Sequence, residues 1–114
     1  MQKWDAMVTT KNNDKMINKK VYIAGPISGH DLKARKEAFK SAEIELKRLG
    51  HNVVNPMELP HDHDKSWESY MKECIEALLK CDTICLLHGW NKSKGAKLEF
   101  DIANAMEYKI IIEK

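Results

Sequence analysis

The sequence predicts an α/β fold: a Rossmann-like, flavodoxin-like three-layer sandwich around a four-stranded parallel sheet in the order 2-1-3-4. Three observations lead there. Short β-branched runs, "KKVYIAG" (19–25), "HNVVNP" (51–56), "DTICLLH" (82–88) and "KIIIE" (109–113), alternate with three longer segments of helical period. Such β-α-β-α-β-α-β alternation implies parallel strands with helices on both faces, and right-handed crossovers leave few topologies. The third run is apolar almost throughout, as suits a strand covered on both sides.

Residues 1–18, "MQKWDAMVTTKNNDKMIN", are polar and show neither period, so a loose or partly ordered arm is expected there, with Trp4 and Met7 able to dock. The first strand stops at Gly25-Pro26. Asp31 is the expected N-cap of a helix over 31–49, whose stripe is Arg35, Phe39, Ala42, Leu46 and Leu49 and whose end is Gly50. The Lys/Glu-rich outer side of 33–48 reads as a solvated face with i,i+4 pairs. Pro56 ends the second strand, and "MELPHDHDK" (57–65) is a polar loop. Ser66 caps a helix over 67–80, with a stripe from Trp67 through Met71, Cys74 and Leu78 to Cys81. The third helix is expected over about 95–107, with Leu98, Ile102, Ala105 and Met106 facing the core.

Composition narrows the function. At 114 residues the chain makes one domain, not two. A net charge of +2 and a pI near 8.4 give no case for a polymeric nucleic acid or a membrane as partner. No apolar run nears the roughly 20 residues of a membrane helix, and the N-terminus lacks the apolar core of a signal peptide. A cytoplasmic protein is expected. Cys74, Cys81 and Cys85 fit no zinc spacing and read as reduced core cysteines.

In such a sheet the ligand sits beyond the strand carboxyl ends where the order reverses, here between the first and third strands. The loops leaving them are "GPISGHD" (25–31) and "HGWNKSKG" (88–95). Each has two glycines and a serine, and each feeds a helix N-terminus, which favours anions. Glu99 begins almost at that crevice, flanked by Leu98 and Phe100. Trp90 is a candidate contact for a ligand, and His88 a candidate proton donor. Trp67, on the core stripe, reads as packing. "HDHD" (61–64) has the residues of a metal chelate but no evident distant third ligand, so no metal is expected.

Three stretches, "VYIAGPISG" (21–29), "CDTICLLHGW" (81–90) and "SKGAKLEFDIANAM" (93–106), together resemble the nucleoside 2-deoxyribosyltransferase superfamily. They are most like a small bacterial and phage branch of it and similar to the deoxynucleoside-monophosphate N-glycosidases. The strongest element is Ser93-x-Gly95-x-x-x-Glu99 followed by Ala103. The resemblance covers residues 19–114 as one domain. It implies cleavage or transfer at the N-glycosidic bond of a (deoxy)nucleoside or its 5′-monophosphate, a small-molecule partner, a homodimer and no cofactor. Glu99 would be the nucleophile and Tyr22 its hydrogen-bond partner. Gly25, Pro26, Ile27, Ser28 and Gly29 would form the first ligand-binding turn, and Ser93 and Gly95 would contact the 5′ end. Two positions depart from the pattern. Cys74 stands where the superfamily has an acid for the leaving base. Ser28 and His30 stand where the nucleotide-cleaving relatives place an arginine, leaving a phosphate to backbone amides, Ser28, Ser93 and Lys92 or Lys94. The rival reading is a nucleotide-binding module of the same fold without activity. A third is an interaction protein of phage or mobile-element origin.

Overall fold

A computed structural model describes residues 19–113 and the backbone of Val8–Thr9. The rest of the expected arm, with Trp4 and Met7, lies outside the described residues. The elements are β1 (Val8–Thr9), β2 (Lys20–Ala24), α1 (Leu32–Arg48), β3 (Asn52–Val54), α2 (Trp67–Leu78), β4 (Thr83–Leu86), α3 (Lys94–Ala105) and β5 (Lys109–Ile112). Strands β3, β2, β4 and β5 are neighbours in that order and all parallel. This is the expected 2-1-3-4 sheet. The short β1 adds an antiparallel edge on β5, pairing Val8 with Ile111, which the sequence did not announce.

Alternation along the strands separates two cores. Tyr22 and Ala24, with Ile84 and Leu86, face α2 and α3. Val21 and Ile23, with Cys85 and Leu87, face Phe39, Ala42 and Leu46 of α1. The sheet is thus covered on both sides, and the fold is the three-layer α/β sandwich expected. All three cysteines are buried and unpaired.

Local chemistry sets the helix ends. Gly50 takes φ +96°, its N–H donates to the Lys47 carbonyl at 3.0 Å, and the His51 N–H donates to the Leu46 carbonyl at 3.1 Å. That Schellman pattern stops α1 and leaves Leu49 exposed beyond the last turn, off the predicted stripe. Asp31 occupies the N-cap, but its side chain makes no capping bond. Ser66 and Ser93 do cap, accepting from the Ser69 and Ala96 N–H groups at 3.1 and 3.2 Å. The solvated face of α1 has one exception. Glu43 is buried, with its carboxylate held by Lys47 at 2.7 Å and by Asn55 at 3.1 Å. Because Asn55 also accepts from the Met57 N–H, this carboxylate ties the exit of β3 to α1.

The third helix turns a different face inward than its large aliphatics suggested. Ala96, Glu99 and Ala103 are buried, whereas Leu98 is 38% and Met106 53% exposed, and Ala105 is exposed as well. Ile102 is half-buried against the core as expected. Small alanines let the helix lie close to β2 and β4, and the buried carboxylate between them finds its partner on β2.

Gly25 marks where β2 leaves the sheet beside β4. A Cβ there would lie 2.9 Å from Leu87 Cβ. Leu87 is fully buried, so it cannot swing aside. Gly25→Ala is expected to cost about 1–3 kcal/mol through overpacking, seen as a lower urea midpoint with an unchanged slope. An unchanged midpoint would contradict this packing.

Candidate active site

The switch point between β2 and β4 opens into a cleft of about 330 Å³, within the usual span of small-molecule sites. Its floor is the pair Tyr22 and Glu99. One wall is the turn from Gly25 to Ser28, with His30 and Arg35 beyond it. Opposite are Ser93 and Gly95 at the start of α3, and α2 supplies Trp67, Tyr70, Met71 and Cys74.

Glu99 is 5% exposed although it lies in the second turn of a surface helix. The Tyr22 hydroxyl, itself wholly buried, donates to Glu99 Oε2 at 2.6 Å. Burial pushes the Glu99 carboxyl up to about 7, with the Tyr22 hydrogen bond pulling the other way. The desolvation does not come from Leu98, which faces solvent, nor mainly from Phe100, which is half-buried. The side chain instead turns inward to Tyr22 of β2 and shares the cleft with Cys74 of α2. Burial, with Glu99 and Cys74 as neighbours, also holds the Tyr22 phenol well above its ordinary value, so it stays a donor. Cys74 lies in the same group. Burial pushes its thiol up to about 11, so it is neutral near pH 7.

The opposite side of the cleft is cationic. Arg35 lines it from the first turn of α1, with Nε donating to the Pro26 carbonyl at 2.6 Å and the guanidinium over the Phe39 ring. Lys92 and Lys94 approach from the other loop. The Lys94 ammonium lies 4.3 Å from the Trp67 ring centre. At the start of α3 the helix dipole adds to this field. Gly95 allows the approach of that helix end to α2, since a Cβ would lie 3.0 Å from Met71 Sδ.

Most residues singled out from sequence meet here. Two do not. Gly29 supplies a left-handed turn, φ +79°, but does not line the cleft. Trp90 is carried away by the short turn Trp90–Lys92 and packs on Phe100, ring centres 4.8 Å apart. The tryptophan that does line the cleft is Trp67, which the helical stripe had assigned to packing. Arg35 was missed in the same way. A cation on an otherwise apolar stripe was the available signal.

Residues 19–112 match the model of a family described as a domain of unknown function, DUF4406. The structure is similar to that of a 2-deoxyribosyltransferase from the psychrotolerant bacterium Bacillus psychrosaccharolyticus, a biocatalyst for synthesis of antiviral and antitumoral nucleosides. The TM-score is 0.63 and the identity 22%, over 82% of this chain and 70% of that one. At that identity the likeness shows the fold. No curated protein matches the chain.

The raised Glu99 carboxyl has a stability consequence. Between its ordinary value of 4.5 and about 7, the folded protein holds more protons than the unfolded chain. Stability therefore falls as pH rises through that window, by about 3 kcal/mol in full. Glu99→Gln keeps an acceptor for Tyr22 and removes the titration. The variant is expected to gain stability over the wild type as pH goes from about 5 to 8, read from urea midpoints. An equal gap at both pH values would contradict the burial argument.

Proposed function

The chain belongs to the DUF4406 family, and from the site it carries we propose that the protein cleaves or transfers at the N-glycosidic bond of a deoxynucleoside or its 5′-monophosphate, with Glu99 as nucleophile. The observation that carries this reading is a carboxylate 5% exposed on the floor of a cleft, hydrogen-bonded at 2.6 Å by a tyrosine that stays protonated.

One Glu99 oxygen is engaged by Tyr22. The other attacks C1′ as the C1′–N bond breaks, and the bond's electron pair leaves with the base. Positive charge developing on the sugar is stabilised by a poorly screened carboxylate and then captured as a glycosyl ester. Water or a second base attacks C1′ and returns the carboxylate. A raised carboxyl suits the first step, as a nucleophile of higher basicity, and makes a poorer leaving group in the second. Trp67 and Tyr70 offer aromatic faces for the base. Arg35, Lys92 and Lys94, with Ser28 and Ser93, favour a 5′-monophosphate over a free nucleoside.

Cys74 favours a second reading. A neutral thiol is a poor donor to a departing base nitrogen, so the cleft also suits a module that binds a nucleotide without turning it over.

A panel of deoxynucleosides and their monophosphates, assayed for free base by chromatography, separates the two. Release is expected, strongest from a monophosphate, and reduced to background in Glu99→Gln. Saturable nucleotide binding with no release from any substrate would favour the module. The nucleophile must be ionised, so the rate should climb with pH to a plateau above about 7. Tyr22→Phe removes a bond that holds the carboxyl down and is expected to move that limb to higher pH; a limb left in place would contradict the pairing. Cys74→Asp supplies an acid beside the leaving group and is expected to speed base release by up to about 100-fold. An unchanged rate would mean that protonation of the base does not limit turnover.

A further inference from the structure

Beside the cleft lies a second cluster that the glycosidic reading does not use. The loop after β3 places His61 and His63 against Glu73, on the side of α2 next to Cys74. His61 Nδ1 lies 2.5 Å from Glu73 Oε1, and His63 Nε2 lies 3.4 Å from the same oxygen. One ligand atom from each residue falls within 4.8 Å of the other two. This supplies the distant third ligand that the sequence pattern "HDHD" did not reveal.

The hydrogen bonding orients these groups as a metal site needs them oriented. His61 Nε2 is 2.9 Å from the Pro56 carbonyl, which can only accept, so that nitrogen carries the proton. Nδ1 therefore faces Glu73 Oε1 either with a second proton, as an imidazolium, or across a metal ion, which would set the two atoms roughly 3.3 Å apart. A backbone carbonyl behind a histidine is the usual device that fixes a metal-binding tautomer. Glu73 is oriented too, its Oε2 accepting from the His61 N–H at 2.9 Å. Yet His61 Nδ1, His63 Nε2 and Glu73 Oε1 are buried atoms with no hydrogen bond of sound angle among the described residues. His63 Nδ1 accepts from the Lys65 N–H at 3.0 Å. Coordination at Nε2 moves its proton to Nδ1, at the cost of that one exposed bond.

The backbone is bent to make the cluster. His61 and Lys65 both sit in the left-handed region, φ 55° and 68°, which costs a non-glycine residue about 1–2 kcal/mol. The Tyr70 ring stacks on His61, centres 4.7 Å apart, and closes one side.

We propose that His61, His63 and Glu73 bind a divalent transition-metal ion of the zinc type, which fastens the loop 59–66 to α2 at the edge of the cleft. Two imidazoles and one carboxylate suit zinc and its neighbours and exclude magnesium and calcium, which take oxygen ligands. Such an ion keeps a fourth position for water. Ile27, Ser28, Trp67 and Tyr70 line both the cleft and the hollow beside these histidines, so the ion would fix a wall of the substrate site.

The test uses the full chain, stripped with a chelator and titrated calorimetrically with Zn²⁺ alone, then with Mg²⁺. One zinc per chain, a higher melting temperature with zinc, and no response to magnesium are expected. His61→Ala and Glu73→Gln should each weaken zinc at least about tenfold, in line with the effect of losing even an outer-shell partner. Glu73 is half-exposed on its helix, so the glutamine variant is expected to keep its fold by circular dichroism. Glu99→Gln should bind zinc like the wild type, which separates this site from the glycosidic one. No zinc binding would mean that a proton alone joins His61 to Glu73, and the proposal falls. Binding unchanged in both His61→Ala and Glu73→Gln would overturn it equally.

Discussion

The hydrogen bond from the Tyr22 hydroxyl to Glu99 joins the central strand to the third helix through the inside of the molecule. It brings together residues 77 positions apart in the chain. A carboxylate taken out of water is costly, and one hydrogen bond offsets only part of that cost. The carboxyl responds by holding its proton more tightly. The rest of the site is arranged around this pair. Alanines on α3 bring the helix close enough for Glu99 to reach β2, Ser93 fixes where the helix starts, and Gly95 lets that start approach α2.

The sheet order decides what else the pair meets. Because β2 and β4 are neighbours whose connections leave in opposite directions, the chain parts above them and leaves a hollow. Gly25 keeps the first exit tight against Leu87, so the following turn runs along the rim of the hollow. The cleft then has an acidic floor and a basic rim. A ligand with an anionic end and an electron-poor centre in its transition state would be oriented by both at once.

Strand identity and order were legible because four β-branched runs and three helical periods leave little choice. The loops with Gly25 and Ser93, and Glu99 close behind the second, were legible because the topology must bring them to one crevice, whereas Tyr22, in the middle of its strand, was signalled only by the family resemblance. What failed was the direction of single side chains. Leu98 and Met106 look like core residues by size, but Ala96 and Ala103 occupy the buried face. Trp67 and Trp90 exchanged their expected places because one lies on the margin of its stripe and the other follows a turn whose sense depends on Gly89 at φ +88°. Arg35 and Glu73 were hidden for a related reason. Arg35 lies on an apolar stripe and Glu73 beside one, and only the position of a distant loop tells which neighbour a long charged side chain will reach.

Helix α2 links these features. Its margin nearest the sheet presents Met71 and Cys74 to the floor, while Trp67 and Tyr70 form the side of the cleft. Tyr70 is the hinge between the two environments. Its ring stacks on His61 outside, and its hydroxyl is buried with no hydrogen bond among the described residues. Burial, with Cys74, Glu99 and Glu73 as neighbours, raises its phenol, so the group remains a donor at any ordinary pH. An unsatisfied buried donor costs about 1–3 kcal/mol unless something accepts from it. A base seated against Trp67 carries ring nitrogens and carbonyl oxygens that can do so. Because a phenol this weak gives up its proton poorly, Tyr70 would hold the base in place and leave its protonation to another group. On the proposed reading, α2 therefore orients the base, and Glu99 on the floor carries out the displacement.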